Sequence, residues 1–403
     1  MKNKLAGSPI QKFSMTRVGR YAFMLVLIGI GLFILFREVD RLKVNDFIGY
    51  WSTSRLLISG GNPYSPDELL QVQQEGGLTR QLPHINYNPP WTLPITFLLG
   101  IFNRPTAQIL WVLGQITALL YCTNRIWKLY GGPSKLRTIA WLITFTFSPV
   151  LAAVILQGQI SPFMFIGLIG FLIFIIEPEK AWRAGIFAFL LLTKPQVTYL
   201  FFIAFFLWSF LKKKLSALIG FISTLLVANI IALAINPNIF NQYGHLMIES
   251  APSGWATPTI GTYLRLAFNP TGFQLQFLPS LLGAIWLVIY WFKRRQVWDW
   301  KVEMPLILFI TTITSAYIWT YDMVLLLLPL LLAFIWLIEE NRRWISVIFV
   351  IGYLAIDVLY LWLHLRLDDS YFIWFAPALF VWYLVAQAVH NSTTRHLEVN
   401  KSV

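Results

Sequence analysis

The chain is poor in charge, in cysteine and in the short signatures of soluble enzymes. Only 12% of its 403 residues are Asp, Glu, Lys or Arg, where a soluble domain of this size would carry roughly 25%. A single cysteine, Cys122, excludes an internal disulfide and a cysteine-held metal cluster. The five histidines (His84, His245, His364, His390 and His396) show no ligand spacing. No Asp-x-Asp pair stands outside the apolar spans, so neither a metal nor another cofactor is expected. There is no GxxxxGK[ST] stretch to hold a nucleotide. Long-period repeats, low-complexity tracts and flexible Ser/Gly linkers are also missing. The formal charge of +13 comes without a basic-aromatic module, so nucleic acid is not an expected partner.

What is present is apolar. Hydrophobic residues make up 57% of the chain, which reads as one all-α polytopic membrane domain over residues 1–403. A span needs about 20 apolar residues. Clear stretches are 18–36, 138–156, 160–176, 215–235, 275–292, 303–319, 323–338, 344–363 and 371–389. Residues 90–128 form a long stretch broken at Asn103-Arg104-Pro105, and 181–211 one broken at Lys194-Pro195-Gln196. The first span, with no small-residue cleavage site after it, reads as a retained signal anchor.

Short Lys/Arg-rich loops face the cytoplasm. The basic clusters are the N-terminus, 125–137, 180–183, 212–214, 293–301 and 342–343. All fall on one side if 90–128 crosses once and 181–211 crosses twice. That gives about twelve crossings, with both termini and a tail at 390–403 in the cytoplasm. The outer face then receives a first periplasmic loop at 37–89, a second at 236–274, and short turns at 157–159, 194–196, 320–322 and 365–370. Within the first loop, residues 47–58 interleave apolar residues with Ser and Thr. Gly60-Gly61 stops that segment and Ser65-Pro66 starts another. Both read as amphipathic helices lying on the membrane surface as a lid.

A few polar residues stand out against this background. Asp46, beside the first span, suits a general base, worth roughly 10²- to 10⁴-fold in rate; it equally suits the cap of a helix beginning at Phe47. Lys194, at the rim of the membrane, is costly to place there and so points to function. It suits a lipid phosphate, or it snorkels to the surface. Gln196 beside it can bond the same group. Gln159 either holds a sugar hydroxyl or caps a turn. Tyr321-Asp322 offers a second carboxylate or another cap. Arg265, in the second outer loop, suits phosphate or simple solvation.

In order along the chain, several segments resemble glycosyltransferase family 87. Asp46-Phe47, Tyr50 and Gly60–Tyr64 are similar to its Asp-Phe…Tyr…Gly-x-x-Pro-Tyr segment. Tyr87-Asn88-Pro89-Pro90 is similar to its Tyr-Pro-Pro, with Asn88 inserted. Ser148-Pro149 with Gly158-Gln159, and Lys194-Pro195-Gln196, are similar to its Ser-Pro…Gly-Gln and Lys-Pro-Gln. The resemblance implies a GT-C-like bundle. It also implies an inverting transfer from a polyprenyl-phosphate sugar, as in the mycobacterial mannosyltransferases of the family, without a metal. Asp46 becomes the base, and Lys194 and Arg265 become donor-phosphate ligands. Tyr50, Tyr64, Tyr87, Gln159, Gln196, Tyr321 and Asp322 become substrate contacts. At Tyr321-Asp322 some relatives carry histidine. The expectation is a bacterial plasma-membrane enzyme, embedded among membrane lipids, serving a lipid or glycan acceptor at the outer face. The alternatives are a transporter or lipid flippase, which broken helices also suit, and a non-enzymatic scaffold.

Overall fold

A computed structural model describes residues 45–401, apart from 80, 251–253, 341, 342 and 365. Every regular element among these residues is helical, and they fall in one compact unit. The expected first span, 18–36, and the basic N-terminus lie outside the described residues.

The first loop folds as α1 (Asn45–Ser59) and α2 (Pro66–Glu75), at the expected positions. Local chemistry explains α2: Pro66 sits at its first position, and the Ser65 hydroxyl accepts from Glu68 N. The surface-lid reading of α1 does not hold. Of residues 46–59 only Arg55, Ile58 and Ser59 are exposed, and Phe47, Ser52, Thr53 and Ser54 are fully buried. The serines of the supposed polar face can be buried because their hydroxyls find backbone acceptors. Ser52 donates to Ile48 O at 2.8 Å, and Ser54 to Tyr50 O at 2.7 Å and Thr96 O at 2.9 Å.

The membrane-type helices follow as α3 (Pro90–Ile101), α4 (Arg104–Leu129), α5 (Arg137–Thr146), α6 (Ser148–Leu156), α7 (Ser161–Ile175), α8 (Ala181–Leu191), α9 (Pro195–Leu211) and α10 (Leu215–Ile235). The second loop contains α11 (Ile239–Glu249) and α12 (Ile260–Phe268). The last set is α13 (Leu278–Arg294), α14 (Trp300–Thr314), α15 (Thr320–Glu339), α16 (Arg343–His364) and α17 (Phe375–Lys401).

Among the described residues, six helices are long and apolar enough to cross a membrane, or seven if the bent pair α5 and α6 counts as one span. Of the expected twelve crossings, the first lies outside the described residues, and those at 160–176, 303–319 and the two within 181–211 meet helices too short to count as spans. Hydropathy alone does not see where the backbone breaks. Residues 138–156 bend by 65° between α5 and α6, where Pro149 starts a new helix and Asp357 accepts from both Ser148 N and Ser148 Oγ. The stretch 303–319 is helical only to Thr314, because Ser315 Oγ donates instead to Gln196 O and Tyr317 O. The supposed tail from 390 continues α17 to Lys401.

The eleven-residue α8 is fixed by close packing between α7 and α10. Gly185 meets the Ala217 carbonyl and Gly220 the Trp182 carbonyl, with no room for a β-carbon at either position.

The helices alternate in a simple way. Turns 193–196, 317–322 and 364–369 all contribute to one cavity. The basic turns 212–214, 293–295 and 339–343 lie at the opposite ends of the same helices. Two of these basic turns meet, since Lys212 Nζ donates to Gln296 at 3.5 Å. Chain reversal at 192–194 gives α8 and α9 opposite senses relative to the cavity.

Candidate active site

The cavity has a volume of about 1080 Å³, at the upper end for a small-molecule site. Its polar wall is assembled from segments far apart in sequence. The first turn of α1 brings Asp46, and the tie from Phe47 N to Gln157 O (3.1 Å) fixes that turn against the end of α6. After a π-turn at Ala152–Leu156, Gly158 takes φ +60, a conformation glycine adopts without strain. That sharp reversal delivers Gln159, whose backbone is held by Ala153 O and by the Gln115 side chain.

Gln159 is the hub. Its Nε2 donates to Asp46 Oδ2. Its Oε1 accepts from Tyr50 OH at 2.9 Å and from Lys194 Nζ at 2.8 Å. Only this amide orientation serves both neighbours, because an ammonium donates and a carboxylate accepts. Lys194 Nζ also donates to Asp322 Oδ1 at 2.7 Å and lies 4.9 Å from the Tyr321 ring centroid. Asp322 further accepts from Ser161 Oγ and from Trp319 N at 3.3 Å. One oxygen of Asp322 therefore pairs with the lysine and the other closes the first turn of α15, as the helix-cap reading expects.

The other oxygen of Asp46 meets His84 Nε2 at 2.6 Å. Facing an ionised carboxylate, Nε2 is the nitrogen that carries the proton. Gln73 of α2 clamps the backbone of His84 on both sides, accepting from His84 N (2.9 Å) and donating to His84 O (2.8 Å). The second helix of the outer loop thus positions the imidazole, and through it the carboxylate. Burial, and then the negative charge of Asp46, push the Tyr50 phenol well above its ordinary value, so its hydroxyl remains a donor through the physiological range.

Asp46, Tyr50, Tyr87, Lys194, Gln196, Tyr321 and Asp322 all line the cavity, and Gln159 joins three of them. Two of the sequence candidates stand elsewhere. Tyr64 is buried and donates to Asn88 O at 3.1 Å. Arg265 was weighed as an exposed cation, but it is 3% exposed. Its guanidinium is committed to Gln276 Oε1, Pro270 O and Trp255 O, and it is absent from the cavity wall. The sequence reading passed over His84, the one histidine of the first outer loop; that shared loop with Asp46 was the available signal. It also missed Asp369, which lines the cavity and accepts from Thr320 N at 3.0 Å. Trp255 and Trp319 were missed as well.

A carboxylate, a buried cation and a roomy, aromatic-lined cavity thus stand together among apolar helices. Residues 86–277 match the family model of Glycosyltransferase family 87; the match spans just under half of the chain and supports membership of that family and a glycosyltransferase role, and the apolar helices support a multi-pass membrane protein. The matched segment contains Tyr87, Gln159, Lys194 and Gln196, while Asp46 and Asp322 lie on either side of it. The chain matches no curated protein and no solved structure.

Proposed function

We infer that this glycosyltransferase takes a hexose or pentose, such as mannose, from a polyprenyl-phosphate donor. It passes the sugar, with inversion, to a lipid-linked or cell-envelope hydroxyl at the outer face of the bacterial plasma membrane. The observation that carries this reading is the Asp46–Gln159–Lys194 bridge on one cavity. It places a carboxylate and a cation at opposite ends of a single amide.

Asp46 is the base. Each carboxylate oxygen has two lone pairs, so the bonds to His84 and Gln159 orient the group and leave a lone pair for the acceptor proton. As the acceptor oxygen bonds to the anomeric carbon, the bond from that carbon to the phosphate oxygen breaks and its electrons leave with the lipid phosphate. Lys194 meets that charge. The helices α9 and α15 also begin at the cavity, and helix N-termini favour anions. The sidedness follows from charge: the cavity turns lie opposite the Lys/Arg turns, which belong in the cytoplasm. Arg265 and Tyr64 have no contact with substrate in this scheme.

The test is transfer from labelled polyprenyl-phosphate mannose, arabinose and glucose by the purified chain in lipid nanodiscs. Asp46→Asn keeps shape and loses the base, so transfer falls by at least about 10²-fold while donor binding persists. Near-normal turnover in that variant removes Asp46 from the mechanism.

A further inference from the structure

The polar bridge continues from Lys194 into an arc of aromatic rings that line the same cavity. From Lys194 the contacts run to Tyr321 (4.9 Å), from Tyr321 to Trp319 (6.1 Å, planes 17° apart), from Trp319 to Trp255 (5.9 Å) and from Trp255 to Tyr87 (5.1 Å). Tyr87 lies three residues from His84, which touches Asp46. All of these residues line the cavity. The lining therefore combines these aromatic rings with the polar groups of Asp46, His84, Asn86 and Asn88.

Trp255 is held in this arc deliberately. Buried Arg265 donates Nη2–H to Trp255 O at 2.8 Å and Nε–H to Gln276 at 2.8 Å; Gln276 in turn donates to Ala316 O at 2.6 Å. These bonds pin the second outer loop to the segment that carries Trp319. The Trp255 side chain itself remains 38% exposed.

We propose that the arc is the acceptor subsite and that the acceptor is a saccharide, whose pyranose ring stacks on the exposed Trp255 ring, with Trp319 edge-on beside it, while a hydroxyl reaches Asp46. A pyranose has an apolar C–H face and a hydroxyl rim, which suits a lining of aromatic rings and polar groups. An alkyl alcohol would lay hydrocarbon against these amides and the imidazole and return no hydrogen bond to them. Trp255 is separated from the cation by both Trp319 and Tyr321, so the donor's own sugar, attached at the phosphate, lies nearer Lys194. The assignment to an acceptor rests on the transferase reading above.

Saturation-transfer NMR on the full chain in phospholipid nanodiscs tests it without requiring turnover. The probes are methyl pyranosides of mannose, glucose, galactose and arabinose. At least one is expected to bind. Trp255→Ala is expected to weaken that binding about tenfold, or ~1.4 kcal/mol, and Trp255→Phe by much less. Trp255→Gln reads the same loss if the alanine variant does not fold. A polyprenyl-phosphate hexose added in excess is expected to leave the glycoside bound. Absence of glycoside binding, or binding unchanged without the Trp255 ring, overturns the platform. Displacement of the glycoside by the donor overturns its assignment to the acceptor. Trp255-dependent binding in a protein that transfers no sugar would refute the transferase reading and leave the platform standing.

Discussion

Removing one partner of the Lys194–Asp322 pair is expected to damage the fold, and removing both is expected to repair most of that damage. The two side chains are 9% and 2% exposed and 2.7 Å apart. Lys194→Met leaves Asp322 with the Ser161 hydroxyl and the Trp319 N–H but no counter-charge. Asp322→Leu leaves Lys194 with Gln159 alone. Losing one member of a buried pair costs about 3–5 kcal/mol, so the two single losses together reach about 6–10 kcal/mol. In the double variant two apolar side chains face each other, and what remains is the loss of an acceptor for Ser161 Oγ and Trp319 N, about 1 kcal/mol each. The interaction energy of the cycle is then at least about 3 kcal/mol. The assay is unfolding in detergent, followed by maleimide labelling of Cys122, a buried thiol and the chain's single cysteine. A Lys194→Met variant as stable as the wild type would refute the claim that these charges are paired away from water. The same double variant separates structure from function: it is expected to fold yet transfer no sugar. Transfer at the wild-type rate would take Lys194 out of donor binding.

Other outcomes follow from the same contacts. His84→Ala frees the Asp46 carboxylate to rotate and is expected to lower kcat by about 10²-fold with little change in donor KM, read by steady-state transfer; an unchanged kcat would show that the imidazole does not orient the base. Gly185→Ala drives a methyl group into the Ala217 carbonyl, an overpacking expected to cost about 1–3 kcal/mol, measured by the same labelling assay. Tyr50→Phe removes one donor from Gln159, about 1 kcal/mol. The raised Tyr50 value also has a sign: the stability it contributes is complete below the ordinary tyrosine pKa of about 10 and is lost as pH rises above it. The Phe variant should therefore show a shallower alkaline loss than the wild type, and parallel curves would refute this.

Much of the helical pattern was legible from local signals. Gly60 follows the end of α1, Ser65-Pro66 starts α2, and Asn103 caps α4 by accepting from Thr106 N at 3.0 Å. The limits of α10 and α16 differ by at most one residue from their apolar runs. The counting of basic turns also anticipated which turns would gather at the cavity. Errors arose where hydropathy continued through a backbone break, as at Phe147-Ser148 and Ser315. They arose again where serine hydroxyls, bonded to their own helix, went inside instead of out.

Asp46 and Lys194 were found because charge in an apolar chain is scarce, and scarcity is a property of composition. Their partners were not found, because a hydrogen bond across 38 residues to His84 or 128 to Asp322 leaves no periodic trace. Arg265 reads identically in sequence whether it meets a phosphate or a carbonyl. The sequence therefore determined helices, their alternating sense and the few groups able to do chemistry, all of which depend on neighbouring residues or on totals. Tertiary packing alone decided that Gln159 joins the Asp46 carboxylate to Lys194, that His84 meets the other oxygen of Asp46 and that four aromatic rings line the same cavity, since each of these is a coincidence in space of segments the chain keeps apart.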